Sequence, residues 1–265
     1  MVLWGIRLLF IMMKETVILK KGIKINHIWF SNENEEPTKK ADIYFYHGIE
    51  KPVLIKNSII ITQNTAVTDI SNNINEIYNN ISKNYKYEIR RGKKEKLEVK
   101  FYRKIDQALL NRFEYCYNQM FHTKGMKVKL NKALLKKYFD EGYAYMSIVY
   151  FENKEMAFHV YLIENGRSRF LYSCSECRNV DVDKNLIGRA NKFLHMYDYY
   201  LLKNEGVTQY DWGGIMDFTN PSGIDKLKLN LAGKYQKKSY FNQMIGISIF
   251  GKFIIKILKL FSNNH

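Results

Sequence analysis

The sequence predicts an α/β fold in which helices flank a mixed, mostly antiparallel sheet. Three consecutive segments, 144–151, 155–163 and 167–174, are rich in β-branched and aromatic residues. The turn sequences Glu152-Asn153-Lys154 and Glu164-Asn165-Gly166 separate them, which is typical of hairpins. Apolar residues at helical spacing come before and after this region. With 265 residues, 46% of them hydrophobic, the chain can bury a substantial core.

The first 66 residues are predicted to form a short β-rich N-terminal lobe. Strand patterns occur at 16–19, 24–30, 42–46 and 58–62, interrupted by the polar loop 31–40 and by Pro52. Residues 1–13 are apolar apart from Arg7, but their uninterrupted run is too short to cross a bilayer. No cleavage-site pattern follows, so these residues are either an interfacial helix or an extension upstream of a start at Met12 or Met13.

The next part of the chain alternates helical and strand patterns. Apolar residues at helical spacing predict a helix over 74–81, for which Ser71 is a plausible N-cap. Further elements are expected in chain order: a basic helix at 84–92, a strand at 96–102, and helices at 106–119 and 132–139. A long helix is predicted over 187–204, after the three strands and the loop 175–184.

A short strand, 207–212, follows the long helix and carries Asp211 near its end. The sequence here is Tyr210-Asp-Trp-Gly-Gly-Ile215, and the two glycines permit a close approach by another backbone or a ligand. A carboxylate among aromatic residues and glycines is costly unless it has a partner or a function. Asp211 therefore either caps a buried turn or belongs to an active site.

Residues 241–265 are predicted to form a basic amphipathic C-terminal helix. The apolar stretch 244–261 is interrupted by Lys252, Lys256 and Lys259, which share one helical face at i, i+4 and i+7. These lysines make the segment too polar for a comfortable membrane span. It either lies on an anionic membrane surface or packs across the domain with its lysines exposed.

The chain is strongly basic, with a formal charge of +16 and a pI near 9.5. This charge favours an anionic partner such as nucleic acid, acidic lipid, an acidic carrier protein or a phosphate-bearing substrate. Of the three cysteines only Cys174 and Cys177 are close together, which indicates a reducing compartment rather than a disulfide framework. Cys174 and Cys177 could supply half of a zinc site, but no second pair exists, so no metal is expected.

Five signatures together resemble the Fem-like branch of the GNAT acyltransferase superfamily, over roughly residues 67–240. In order, they are Thr68-Asp-Ile-Ser71 before a helix, Tyr87-Glu-Ile-Arg-Arg91, Gly188-Arg-Ala-Asn191, Tyr210-Asp-Trp-Gly-Gly-Ile215, and Gly223-Ile-Asp-Lys-Leu-Lys228 with Gly233. The resemblance implies a GNAT fold, with a sheet that splays near its middle to admit an acyl donor. It also implies acyl transfer to an amine or, less often, a hydroxyl.

The resemblance implies a donor site at the start of the long helix. Members of the superfamily bind pyrophosphate or pantetheine through backbone N–H groups at a helix N-terminus, where the dipole favours negative charge. Here the matching segment is Asn185-Leu-Ile-Gly188-Arg189-Ala190, followed by Asn191, with Asn185 in place of the usual first residue. Arg90 and Arg91 are expected on the same side, where they either bind donor phosphates or complete a basic helix face.

Four residues are candidates for catalysis. Asp211 could accept the acceptor's proton, so Asp211→Asn is expected to abolish turnover and leave the fold intact. Lys228 matches the family's lysine and could neutralise a phosphate or an oxyanion, although Leu227 replaces the usual Phe before it. His159 is either a base or a structural histidine. Tyr172 either donates to the leaving group or packs in the core.

Three functions follow from these observations. The first is an acyltransferase of envelope-glycan or lipid biosynthesis that takes its acyl group from acyl-CoA or acyl carrier protein and works in the cytoplasm at the inner membrane face. The second is an aminoacyl-tRNA-dependent ligase acting on a peptidoglycan precursor, which the charge supports and the short N-terminal lobe opposes. The third is a non-catalytic module that binds membrane or nucleic acid, in which the splay would be closed and Asp211 salt-bridged in the core.

Overall fold

The computed structural model describes residues 13–32, 35–71, 73–175 and 183–262. The chain divides into two compact units. Among the described residues, unit 1 takes those up to 61 and those from 241 onward, and unit 2 takes those from 62 to 240. Apart from Met13, the predicted interfacial helix or upstream extension at 1–13 lies outside the described residues, as does Cys177.

Unit 1 is built from strands of both ends of the chain. Its strands are β1 (Lys14–Lys20), β2 (Ile23–Trp29), β3 (Ile43–Ile49), the start of β4 (Ser58–Asp69) and the second half of β10 (Gln236–Gly246). β1 and β2 pair antiparallel, β2 and β3 parallel, and β3 and β10 antiparallel. The β-rich character predicted for the N-terminal residues is therefore confirmed.

The C-terminal helix of unit 1, α7 (Ile249–Ser262), begins later than predicted. The helix was predicted over 241–265, but residues 241–246 belong to β10, in which Met244, Ile245 and Gly246 pair with β3. The first turn of α7 is capped by Ser248, whose Oγ accepts a hydrogen bond from the N–H of Gly251 at 3.0 Å. No helix in the described ranges is long and apolar enough to cross a membrane.

Unit 2 contains the three predicted hairpin strands in the expected positions. Its strands are the rest of β4, β5 (Glu98–Tyr102), β6 (Ala144–Phe151), β7 (Lys154–Glu164), β8 (Arg167–Ser175), β9 (Gln209–Gly214) and the first half of β10. The order β4-β9-β8-β7-β6-β5 is antiparallel except for the parallel pair β8/β9. The predicted class, an α/β fold with a mixed, mostly antiparallel GNAT-like sheet and a C-terminal helix, is confirmed.

The helices of unit 2 follow the predicted periodicity with shifted ends. They are α1 (Ile74–Asn80), α2 (Lys83–Lys94), α3 (Gln107–His122), α4 (Lys132–Asp140), α5 (Lys184–Asn204) and α6 (Gly223–Ala232). The proposed N-cap of α1 is wrong: β4 continues to Asp69, Ser71 bonds to that carboxylate, and Asn73 caps the helix instead.

Helix α5 packs on the face of β7 that carries Ala157, His159 and Tyr161, as the alternation of β7 predicts. Ala157 shares a core cluster with Ala190 and Leu194 of α5. The opposite face of β7 packs on α3, since the rings of Phe158 and Phe113 lie 5.9 Å apart. Helix α5 is also the crossover between the parallel strands β8 and β9.

Candidate active site

The parallel strands β8 and β9 pair over only three residues. The partners are Arg167 with Gln209, Ser168 with Tyr210, and Arg169 with Asp211. A Cβ built on Gly213 would lie 2.8 Å from the carbonyl oxygen of Phe170, so the backbones of β8 and β9 are still in contact at these two residues. β8 continues to Ser175 without a β9 partner. The sheet is therefore open between these strands beyond Phe170 and Gly213.

A β-bulge lies on β8 at the start of this opening. Val160 of β7 pairs with Tyr172 and Tyr161 pairs with Phe170, so Leu171 has no partner in the ladder. A bulge leaves backbone groups of the extra residue unpaired and redirects neighbouring side chains. On its other edge, β8 has no β9 partner beyond Phe170, so backbone polar groups of β8 are available in the opening.

Asp211 and Arg169 form a nearly buried ion pair where the strands separate. Arg169 Nη1 donates to Asp211 Oδ2 at 2.8 Å, and its Nη2 donates to Gln63 Oε1 at 2.7 Å. The other carboxylate oxygen, Oδ1, accepts from Thr65 Oγ1 at 2.5 Å and from the N–H of Gly213 at 2.9 Å. Both oxygens of Asp211 are engaged, which fits a residue that positions Arg169 and the glycine turn better than the predicted proton acceptor.

Lys228 lies beside this ion pair on α6. Its Nζ donates to the carbonyl oxygen of Gly214 at 2.9 Å. Burial, and then the positive charge of Arg169, lower the pKa of Lys228 to about 8, while the charges of Asp225 and Asp211 act in the opposite direction. Among the predicted catalytic residues, Asp211 and Lys228 are therefore brought together, and Lys228 can exchange its proton near neutral pH.

His159 lies in a buried polar network beneath α5. Its Nδ1 hydrogen-bonds with Asp198 Oδ2 at 2.7 Å, and its Nε2 lies 2.9 Å from Asn191 Oδ1. Tyr161 OH also donates to Asp198 Oδ2, at 2.6 Å, and contacts Tyr210 OH at 2.9 Å. Because His159 is completely buried with both ring nitrogens engaged, the structural interpretation is favoured over a general base.

Burial keeps Tyr161, Tyr210 and the neighbouring His195 neutral. Desolvation raises the pKa of Tyr161 and Tyr210 well above the usual range of tyrosine, and it lowers the pKa of His195 well below that of histidine. Donor atoms of His159, His195 and Asp198 all lie within 4.8 Å of one another, and Asp198 Oδ1 has no hydrogen-bond partner. Among the described residues these three have the chemistry to hold a metal, although His159 and Asp198 already bond to each other.

Tyr172 is partly buried on β8, immediately after the bulge. Its ring packs edge-on against Tyr117 of α3, with centroids 5.4 Å apart. Burial raises the pKa of the Tyr172 phenol, so the hydroxyl stays protonated and can act as a hydrogen-bond donor. Its role as donor to a leaving group stays a prediction.

The start of α5 differs from the predicted donor loop. The helix begins at Lys184 and is capped by Asp183, so Gly188 and Ala190 lie in its second turn. Their N–H groups point to carbonyl oxygens four residues earlier and are not available to a phosphate, which corrects the predicted use of these amides. Ala190 is buried, and Asn191 contacts His159.

Several predicted donor residues nevertheless surround one cavity. A basic cavity of about 460 Å³ is lined by Arg91, Asn185, Gly188 and Arg189, together with Asn84, Tyr87, Glu88, Lys184 and Lys192. Arg189 is paired with Glu95, and Lys192 with Glu88. Arg90 lines a different cavity, of about 620 Å³, between α1, α2 and α5. The structure thus separates Arg90 from the other predicted donor residues.

Sequence reasoning missed Arg169, Gln63, Thr65, Asp198 and Tyr161. Arg169 could have been found by aligning β8 and β9 as a parallel pair, since that register places it opposite Asp211. Asn191, His195 and Asp198 recur at i, i+4 and i+7 on the buried face of α5, which is a detectable polar stripe. Gln63 and Thr65 carry no local signal, because only the pairing of β4 with β9 brings them here.

No protein-family model matches the chain, and no curated protein matches it. Among solved structures, FemX superposes with a TM-score of 0.55 and 14% identity, over 80% of this chain and 68% of FemX. L-PGS from Bacillus licheniformis gives a TM-score of 0.53 at 10% identity, over 95% of this chain and 90% of that chain.

A third structure covers nearly the whole chain in the same way. It is the C-terminal domain of a protein described as a lysylphosphatidylglycerol synthetase, from Agrobacterium fabrum, with a TM-score of 0.50 and 10% identity over 91% of this chain and 87% of that domain. At these identities the similarity concerns the fold. The chain therefore has the fold of Fem-like members of the GNAT superfamily.

Proposed function

We propose that the protein is an acyltransferase that moves an acyl group from acyl-CoA or acyl carrier protein to an amine or hydroxyl of an envelope glycan or lipid precursor. The reaction takes place at the opening between β8 and β9, on the cytoplasmic side of the membrane. The phosphopantetheine arm of the donor is a co-substrate rather than a resident cofactor.

One observation carries this proposal: the short parallel pair β8/β9 opens directly beside Lys228. Pairing ends at Arg169 and Asp211, and β8 continues to Ser175 without a β9 partner, so backbone groups of β8 are left unpaired in the gap. An extended thioester arm can enter such a gap and complete the hydrogen bonding of the strands. This combination of an open sheet and a titratable amine is suited to polarising a carbonyl group.

The residues support direct transfer. The acceptor's nitrogen or oxygen attacks the thioester carbonyl carbon, a new C–N or C–O bond forms, the C–S bond breaks, and the acceptor's proton passes to the departing thiolate. Protonated Lys228 and backbone N–H groups of β8 that have no β9 partner stabilise the oxyanion. The Arg169–Asp211 pair holds Gly213 and the neighbouring strand end in place.

The basic cavity at the start of α5 supports a donor that carries phosphate. Arg91, Lys184, Arg189 and Lys192 contribute four positive charges to its lining, and Glu88 contributes one negative charge. Guanidinium and ammonium groups are the side chains that bind phosphate most strongly. In this proposal Arg91, which is 4.0 Å from Glu95 at its closest, and Lys184 contact the donor directly, while Arg189 and Lys192 keep their closer carboxylate partners.

A donor screen tests the proposal. Purified full-length protein is incubated with acyl-CoAs, with acyl carrier protein loaded with the same acyl groups, and with aminoacylated tRNA, and its thermal stability is measured. Stabilisation by a thioester donor is expected, and transfer to glycan or lipid precursors is then followed by mass spectrometry. Lys228→Met should abolish transfer, and Lys226→Met, an exposed lysine on the same helix, should retain it.

Two other outcomes would point to the alternative functions. Stabilisation by aminoacylated tRNA alone would favour an aminoacyl-tRNA-dependent ligase, which the charge of +16 supports. If no donor changed the thermal stability, both proposed enzymatic functions would be contradicted and a non-catalytic binding module would be favoured. The buried Arg169–Asp211 pair is the observation that supports such a module. A lipid acceptor in particular is suggested by the name lysylphosphatidylglycerol synthetase of one similar structure.

A further inference from the structure

Helix α7 presents a continuous apolar face to solvent. Phe250 is 68% exposed, Phe253 60% and Leu260 64%. Together with Ile249, Ile257 and Phe261 these residues recur at helical spacing on one side of the helix. The opposite side packs inward through Gly251 and Ile255, which are buried. Exposed apolar strips of this kind mark interaction surfaces.

The orientation of α7 on unit 1 is fixed by specific contacts. Ser248 Oγ donates to Asp42 Oδ1 at 2.6 Å, and the N–H of Ile247 donates to the carbonyl oxygen of Asp42 at 2.8 Å. A Cβ built on Gly251 would overlap that same carbonyl oxygen, so the helix backbone lies directly on it. The aromatic face therefore cannot rotate inward without loss of these contacts.

A loop of unit 1 beside α7 exposes further apolar residues. Lys259 Nζ donates to the carbonyl oxygen of Lys56 at 2.8 Å, which places the loop 51–57 beside the C-terminal end of α7. The loop exposes Val53, Leu54 and Ile55, and Leu54 is 87% exposed. We refer to the exposed apolar residues of α7 and of this loop as the α7 surface.

Positive charge accompanies the α7 surface. Lys252, Lys256 and Lys259 follow one edge of the helix, and α7 contains no acidic residue. An apolar strip with aromatic rings and a row of lysines matches the boundary between acyl chains and anionic headgroups.

We propose that the α7 surface docks on an anionic phospholipid bilayer, with α7 in the plane of the membrane and its phenylalanines among the acyl chains. Burial of the aromatic side chains provides the main driving force. The lysines add attraction to anionic headgroups, which salt weakens. The inference shares its membrane location with the proposed function but depends on unit 1 alone, and vesicle binding can be measured without any donor.

Co-sedimentation with vesicles tests the inference. Full-length protein is mixed with vesicles of phosphatidylcholine alone or of phosphatidylcholine with 30% phosphatidylglycerol, and binding to the anionic vesicles is expected. The double variant Phe250→Ser with Phe253→Ser should weaken binding by about tenfold or more. Lys256→Gln should weaken binding to anionic vesicles roughly fivefold and leave binding to neutral vesicles unchanged.

Two single variants at exposed apolar residues of unit 1 test where the surface lies: one is a control outside the α7 surface, and the other lies within it. Leu19→Ser, at a residue of β1 that is 70% exposed, should leave vesicle binding unchanged, and Leu54→Ser should weaken it. Unchanged melting temperatures would show that the variants remain folded. If Leu19→Ser weakened binding as much as the double variant, the proposed surface would be wrong.

Three further results would overturn the inference. The first is that wild-type protein stays in the supernatant with both kinds of vesicle. The second is a dimer in solution that the double phenylalanine variant converts to a monomer, since a second copy would then cover the face. The third is binding that occurs only after deletion of residues 2–12, because this apolar segment of the chain would then be the occupant.

Discussion

At the scale of single residues, Asp211 lies at the candidate site that the sequence indicated, but its contacts favour a structural role over the predicted catalytic one. The sequence singled it out as a carboxylate in an aromatic and glycine setting, and the structure places it where β8 and β9 separate. Arg169, Thr65 and the Gly213 backbone occupy its oxygens. A carboxylate held in this way stabilises the strand ends, and Lys228 becomes the better candidate for chemistry.

Replacement of Asp211 by Asn should therefore reduce stability as well as activity. An asparagine has one acceptor oxygen for three donors and leaves Arg169 without its counter-ion, so a loss of about 3–5 kcal/mol in the free energy of unfolding is expected. Urea unfolding measures it. Asp217→Asn, at an exposed carboxylate that accepts two backbone hydrogen bonds, is the matched control and should cost far less.

A double variant distinguishes a structural role of Asp211 from a direct role in catalysis. Arg169→Gln combined with Asp211→Asn removes both charges and should recover part of the lost stability, since no unpaired charge remains buried. If Asp211→Asn alone were as stable as wild type and still inactive, Asp211 would act on the substrate, as the sequence first suggested.

Lys228 provides a pH-dependent prediction. Its pKa is about 8 in the folded protein and is ordinarily 10.5, so the buried charge costs stability fully below pH 8 and ever less as the pH rises towards 10.5. Lys228→Met should raise the melting temperature at pH 7 relative to Lys226→Met. This gain should disappear by about pH 10.5, where only the lost hydrogen bond to Gly214 remains.

Thermal melts of both variants between pH 6 and 10.5 check this prediction. A gain that stayed constant over the whole range would mean that Lys228 has an ordinary pKa in the folded protein. Its assignment as the titratable group of the opening would then lose its support, although its position would be unchanged.

At the scale of elements, the hairpin strands were predictable because their turns have strong local signals. Glu152, Asn153 and Asn165 adopt positive φ angles in the loops that the sequence identified. Helix ends were less predictable. Ser71 is a good N-cap residue, but pairing of β4 with β9 extends that strand to Asp69 and moves the helix start. The start of α7 shifted for the same reason, since β10 pairs with β3.

The close contact of β8 and β9 can be tested at Gly213. Its φ is +75°, and an added Cβ would lie 2.8 Å from the Phe170 carbonyl oxygen. Gly206 has a similar φ of +78° but open space around it. Gly206→Ala should cost about 1 kcal/mol from backbone strain alone, and Gly213→Ala should cost clearly more. Chemical denaturation of both variants provides the comparison, and equal losses would show that the strands can separate freely at Gly213.

At the scale of the whole molecule, the sequence predicted the fold from the order of its elements and their resemblance to the Fem-like branch. Solved structures with the same fold cover 80–95% of the chain. The use of both chain ends in unit 1 was not predictable, because no local pattern indicates that residues 241–246 pair with 43–49. Long-range pairing of this kind depends on complementary surfaces rather than on periodicity.

The candidate site was predictable to the extent that its residues stand in recognisable segments. Asp211 and Lys228 were found, and Arg91, Asn185, Gly188 and Arg189 do share a cavity. Arg169 was missed because an arginine on a predicted strand is normally exposed. The sequence left His159 as either a base or a structural histidine, since its burial depends on α5 lying across β7, which no single segment reveals.

The register of the three residue pairs between β8 and β9 also limits which insertions and deletions the protein can tolerate before β9. Side chains on a strand alternate between two faces, so Tyr210 lies in the aromatic core while Asp211 faces Arg169. Deletion of one residue from the connection 205–208 would exchange these two faces if the strand kept its place. The carboxylate of Asp211 would then enter the hydrophobic core, and Trp212 would take the position opposite Arg169. The length of this connection should therefore be far less tolerant of insertion or deletion than its amino-acid composition is of substitution.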